Sequence, residues 1–151
     1  MEYSHDDEGL AGQPIGYWSG AAAKAIVGHI RDALAGYGLT QPQWWVLNQA
    51  AEAGPAGCDR ATMLRTLGGY PGPGDDLEAD TDALITRALL TPDGPRLRLT
   101  PEGATLHDEV ATRQDELRAR IHAGIPNEEY VIALKVLQRM IANVGGSAWH
   151  H

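Results

Sequence analysis

The chain has 151 residues, a length that fits one domain. With 12 Lys and Arg against 20 Asp and Glu, its formal charge is −8, so the global basic footprint of a dedicated nucleic-acid binder is missing and any such contact must come from a local patch. Cys58 is the sole cysteine, which excludes an intramolecular disulfide, and the longest apolar stretches fall far short of a membrane span.

Residues 1–13 are polar, contain Gly9 and Gly12, and are expected to form a loose tail. The acidic start Met1-Glu2-Tyr3-Ser4-His5-Asp6-Asp7-Glu8 has neither the basic nor the apolar region of a secretory signal, so the chain reads as soluble and cytoplasmic. From Pro14 to about Tyr37, Ile15, Trp18, Ala22, Ala25, Ile26, His29, Ile30 and Leu34 recur at helical steps, and Gly36 and Gly38 end that helix. Thr40 is an expected N-cap for a second helix carrying Trp44, Val46, Leu47 and Ala50, which stops near Gly54-Pro55. Asp59 caps a short third helix with Ala61, Met63, Leu64 and Leu67. The density of Gly and Pro in Gly68–Gly74 requires a loop.

Asp75 or Asp76 caps a fourth helix, whose apolar stripe is Leu77, Leu84, Ile85, Ala88 and Leu89. Residues 90–99 predict two short strands around the Asp93-Gly94 turn, with Pro95 favouring an edge position. Thr100-Pro101-Glu102 is an N-cap followed by Pro at the first helical position, opening a long fifth helix that ends near Gly124. Asn127 is expected to cap a last helix with Val131, Ile132, Leu134, Val136, Leu137, Met140 and Ile141. That stripe is wide for a helix with one solvent face, and it predicts dimerisation through the terminal helices. The end, residues 144–151, reads as a tail, either native or a linker running into a truncated purification tag.

Helices, a β-hairpin and a long helix, in that order, predict a mainly α winged helix-turn-helix domain over residues 14–143. The sharper motifs are Ile15-Gly16-Tyr17-Trp18, Gly38-Leu39-Thr40 with Gln43-Trp44 and Val46-Leu47-Asn48, Leu99-Thr100-Pro101-Glu102-Gly103, and Glu128-Glu129-Tyr130 leading to Val136-Leu137 and Arg139-Met140. In this order and spacing they resemble the MarR family of regulators, in an actinobacterial-looking branch. The resemblance implies a homodimer held by terminal helices, a reading helix in each major groove of duplex DNA, wings near the minor groove, and a ligand pocket between the dimerisation and DNA-binding parts. Residues 59–67 and 75–89 would form the helix-turn-helix, and Pro92–Pro95 the wing tip.

One segment departs from that pattern. Asp75, Asp76, Glu78, Asp80 and Asp82 place five carboxylates at the head of the would-be reading helix, where phosphates repel them. Carboxylates in a first helical turn also favour the macrodipole. Two outcomes stand open. The acids could lie off the reading surface, with reading residues starting near Thr81. Alternatively, the fold could be kept while DNA binding is weakened or lost, leaving a protein that binds or transforms a small aromatic metabolite, or that meets a basic protein partner.

The DNA-contact candidates are Arg60, Arg65, Thr81, Arg87, Arg96 and Arg98, chosen for their donors to phosphates and base edges. The candidates for a small hydrophobic or aromatic ligand are Tyr17, Trp18, His29 and Trp44. His29, His107 and His122 lack tight ligand spacing, so no metal site is expected. Cys58 at the opening of the third helix is weighed as a redox thiol and, with greater weight, as a small residue in a loop. No Ser-His-Asp order, phosphate loop or nucleotide turn appears, so neither catalytic residues nor a cofactor are assigned, and a binding protein is favoured over an enzyme.

Overall fold

The computed structural model describes residues 2–148, and most of its elements start at the caps that the sequence marks. Helix α1 (Asp7–Ala11) is a single exposed turn-and-a-half inside the segment expected to be a loose tail, capped by Asp6 accepting from the Gly9 N–H. Helix α2 (Ile15–Ala35) follows Pro14. Helix α3 (Gln41–Glu52) begins at a reciprocal capping box, in which the Thr40 hydroxyl accepts from the Gln43 N–H and the Gln43 side chain accepts from the Thr40 N–H. Strand β1 (Cys58–Asp59) is a third strand that the sequence does not announce. Asp59 then caps α4 (Arg60–Leu67), accepting from the Thr62 N–H at 2.8 Å. Asp76, of the two candidates, caps α5 (Leu77–Thr86).

Strands β2 (Leu90–Asp93) and β3 (Arg96–Leu99) form the hairpin, and the antiparallel order is β1-β3-β2. The expected edge position for the strand at Pro95 is therefore corrected. Pro95 lies in the turn, so β3 keeps its N–H groups and takes the centre, with Leu97 opposite Cys58 on one side and Pro92 on the other. Helix α6 (Pro101–Ile121) starts at Thr100, whose hydroxyl accepts from the Gly103 N–H. Helix α7 (Asn127–Asn143) has Pro126 at its N-cap. Asn127 is thus its first residue and not the expected cap. Met1 and residues 149–151, the latter part of the tail read as a tag, lie outside the described residues.

The core belongs to the winged part. Leu34, Leu39, Val46, Leu47, Ala50, Met63, Leu67, Leu84, Leu90, Leu97 and Val110 pack into one cluster where α3 crosses α4, α5, α6 and the sheet. The terminal helices contribute almost nothing to it. Helix α7 has no buried residue, and α2 buries only Leu34. Ile132 is 61% exposed and Tyr17 66%. The whole chain exposes 10029 Å², against about 7,500 Å² for a compact monomer of its mass.

The fourth helix ends three residues before its expected limit, at Thr86. The chain turns there through a Schellman arrangement. Leu89 N–H donates to the Leu84 carbonyl and Ala88 N–H to that of Ile85, while Leu84 and Leu89 are both buried. This motif puts Ala88 at φ 55, a left-handed conformation that normally calls for glycine. Ala88→Gly is therefore expected to raise stability by about 0.5–1 kcal/mol, less than the full strain because glycine gains freedom in the unfolded chain. Urea denaturation of the two proteins side by side measures it.

Candidate nucleic-acid interface and ligand recesses

Helices α4 and α5 with the β2–β3 hairpin share one face. Its orientation is set by the apolar stripe of α5, where Leu77, Thr81 and Leu84 point inward. Thr81 is fully buried and its hydroxyl donates to the Leu77 carbonyl at 2.7 Å. This corrects its assignment as a DNA-contact residue. The signal was present in the sequence, since Leu77, Thr81 and Leu84 follow helical spacing. Glu78, Ala79, Asp82 and Thr86 are exposed on the outward side. Glu78 and Thr86 are the outward residues that sequence reasoning missed as candidates for contact.

The acidic run is dispersed among separate tasks. Asp75 accepts from the Gly72 N–H and from Arg31 of α2, each at 2.9 Å, so it fastens the loop before α5 to the long helix. Asp76 is the helix cap, accepting from the Ala79 N–H at 3.0 Å. Asp80 accepts from the Thr40 hydroxyl at 2.7 Å, on the α3 side. Asp82 pairs with Arg60 at 2.7 Å. Only Glu78 of the five has no hydrogen bond or ion pair among the described residues.

The arginine candidates are equally committed. Arg87 donates to the Gly38 carbonyl at 2.7 Å, bridging the end of α5 to the turn before α3, so it does a structural job. Arg96 donates to the carbonyls of Ala56 and Gly57 and so clamps the wing to the α3–β1 connection. Arg98 pairs with Asp93 across the hairpin. Arg65 donates to the Thr62 hydroxyl. The Arg60 N–H also donates to the Pro95 carbonyl at 3.0 Å, tying the start of α4 to the wing turn. On this face Arg60, Arg65, Arg96 and Arg98 meet Asp59, Glu78, Asp82 and Asp93, so charge is balanced and not acidic. The Asp59 carboxyl is held below the usual range, first by the Thr62 N–H. A groove of about 390 Å³ separates α4, α5 and the wing, with Ala61, Leu64, Ile85, Pro92 and Leu97 as its apolar lining.

The four ligand candidates do not converge. Tyr17 and Trp18 make an exposed edge-to-face pair at 5.4 Å near the start of α2. His29 lies 11 residues beyond Trp18, roughly 16 Å along the helix axis. Trp44 stacks on His107 of α6 at 5.3 Å and packs against the core. The recess nearest to His29 in sequence lies between α2, α6 and the start of α7. It holds about 380 Å³, lined by Ile26, Ile30, Leu117, Ile121, Arg118 and His122, with Tyr130 against His122 at 4.4 Å. Gln114 also lines it. His29 Nε2 and Gln114 Nε2 are buried without a hydrogen-bond partner among the described residues. His29, His107 and His122 thus have separate surroundings, and among the described residues no three His, Cys, Asp or Glu are grouped to hold a metal.

Cys58 does not gain the acidity of a helix N-terminus. It lies in β1 with its sulfur near Met63 and the Leu97 carbonyl, and burial pushes its thiol up. No helix among the described residues is long and apolar enough to cross a membrane.

No family model and no curated protein matches the chain by sequence. Solved structures do match. A MarR-family transcriptional regulator from Rhodococcus sp. RHA1 is 26% identical, with a TM-score of 0.65 over 83% of this chain and 91% of that one. The PcaV transcriptional regulator from Streptomyces coelicolor is 25% identical, with a TM-score of 0.68 over 89% of this chain and all (100%) of that one. CouR from Rhodococcus jostii RHA1, solved bound to p-coumaroyl-CoA, is 25% identical, with a TM-score of 0.67 over 85% and 91%.

Proposed function

Because this chain is a MarR-like winged-helix protein, we propose that it is a ligand-responsive transcriptional regulator that binds duplex DNA as a homodimer. The observation that carries this reading is the dispersal of the acidic run. Asp75, Asp76 and Asp80 are spent on anchoring and capping α5, and Asp82 is offset by Arg60. The outward face of α5 is left with one unpaired carboxylate, Glu78, beside Ala79 and Thr86. Arg60, Arg65, Arg96 and Arg98 are the phosphate-contact residues of this proposal.

Two further observations support the assembly and the ligand. The chain exposes roughly 2,500 Å² more than a compact monomer of its mass, much of it on the apolar faces of α2 and α7, and obligate interfaces cover areas of that order. The recess between α2 and α6 sets the apolar Ile26, Ile30, Leu117 and Ile121 beside polar groups of Gln114, Asp115, Arg118 and His122, which suits an aromatic effector with polar substituents, and CouR was solved bound to p-coumaroyl-CoA. The competing reading, a regulator fold that no longer engages DNA, is favoured by a single fact. Each of the four arginines already donates a hydrogen bond within the chain.

Fluorescence anisotropy with random duplex DNA, run beside sedimentation velocity, separates them. The regulator is expected to sediment as a dimer and to bind DNA at 50 mM salt. Affinity should fall by about 1,000-fold or more by 200 mM, the change for about six to eight phosphates neutralised by the two subunits. A dimer with no DNA binding at low salt, in protein refolded free of any carried ligand, favours the competing reading.

A further inference from the structure

We propose that the recess between α3 and the loop preceding α5 binds a small organic cation bearing a quaternary ammonium group. The site is independent of whether the protein engages DNA. Trp44, Trp45 and Tyr70 give it an aromatic side and Asn48 and Gln49 a polar one, with Glu52 exposed at its edge, and its volume is about 270 Å³. Trp45 and Tyr70 meet at 5.2 Å with their planes 35° apart, so helix and loop together make one aromatic wall. Trp44 is held in place by stacking on His107, whose Nε2 lies 3.3 Å from Asn48 Oδ1.

Glu52 gives the recess its sign. Its two carboxylate oxygens accept from the side-chain amides of Asn48 at 2.8 Å and Gln49 at 3.2 Å. Both donors are neutral, so they orient the carboxylate without cancelling its charge. No ion pair to Glu52 exists among the described residues. Its field reaches the wall, since the Tyr70 hydroxyl is pushed up first by burial and then by Glu52. A carboxylate beside aromatic rings repels an anion and gives a neutral phenol no charge to pair with. A trialkylammonium satisfies both parts at once, its methyl groups against the rings and its charge against Glu52. Such an occupant would tie α3 to the loop that ends in Asp75 and Asp76, the residues that anchor and cap α5.

The test titrates the full chain with choline and with its uncharged isostere 3,3-dimethylbutanol, following indole N–H shifts by NMR. Choline is expected to bind saturably, and the isostere at least about tenfold more weakly. Glu52→Gln, its fold checked by circular dichroism, should weaken choline by about fivefold or more and leave the isostere unchanged. Equal binding of the two probes, choline affinity unaltered in Glu52→Gln, or no saturable shift up to about 50 mM choline would each overturn the proposal.

Discussion

Gly103→Ala is expected to cost about 3 kcal/mol or more of unfolding free energy, read as a fall in the urea midpoint at unchanged slope. A β-carbon at this position would sit 2.0 Å from the Leu89 carbonyl oxygen and 2.9 Å from its carbon. Both are backbone atoms, so no side chain can swing away to make room. The contact is also held from other directions. The Thr100 N–H donates to the Leu89 carbonyl at 3.2 Å, and the Thr100 hydroxyl donates to that of Ala88 at 2.7 Å. The start of α6 is thereby bolted to the corner where α5 turns into β2. Relieving the clash means breaking those bonds or shifting α6 as a body. The corner joins the helix that presents Glu78 and Asp82 to the long helix that lines the α2–α6 recess. A variant that survives the substitution should therefore also show α5 displaced relative to α6, detectable as widespread amide shifts on both helices.

Much of the architecture was legible because its signals are local. Thr40, Asp59 and Thr100 before Pro101 are caps written next to the helices they open, and all three form as read. The helix that ends at Thr86 was overextended because its stop depends on a left-handed alanine, and alanine in sequence signals helix. Strand β1 escaped notice because two residues carry no period, and it exists through pairing with β3 some 40 residues on. The charges were the least legible. Asp75 is neutralised by an arginine 44 residues away, and Asp80 is engaged by a threonine 40 residues away. Those partners are defined by how α2 and α3 pack, which the composition of the acidic run does not encode. Tyr17, Trp18, His29 and Trp44 were grouped by chemical kind, yet the length of α2 keeps Tyr17 and Trp18 apart from His29, and Trp44 stacks on His107 of α6. Trp45 and Glu52 share a recess with Tyr70 because the glycine-rich loop folds back onto α3.

The double substitution Glu78→Gln with Asp82→Asn is expected to raise affinity for duplex DNA by about tenfold or more at 50 mM salt, measured by fluorescence anisotropy. Both side chains lie on the outward face of α5, opposite the buried Leu77, Thr81 and Leu84. The replacements keep shape and hydrogen-bonding capacity while removing four negative charges from the proposed dimer. At about 10 Å through water each charge costs about 0.4 kcal/mol against a single phosphate, so four of them amount to more than a factor of ten. The second consequence is more specific. Asp82 holds the Arg60 guanidinium at 2.7 Å, and its loss frees one cation in each subunit for a phosphate. The slope of log affinity against log salt should therefore steepen by nearly 2 for the dimer. Asp75→Asn supplies the contrast. That carboxylate faces Arg31 and the Gly72 N–H, so its removal should loosen the loop before α5 and leave the salt slope unchanged. A double variant with the affinity and slope of the parent would mean that these carboxylates lie away from the groove, and that the dispersed acids never opposed binding at all.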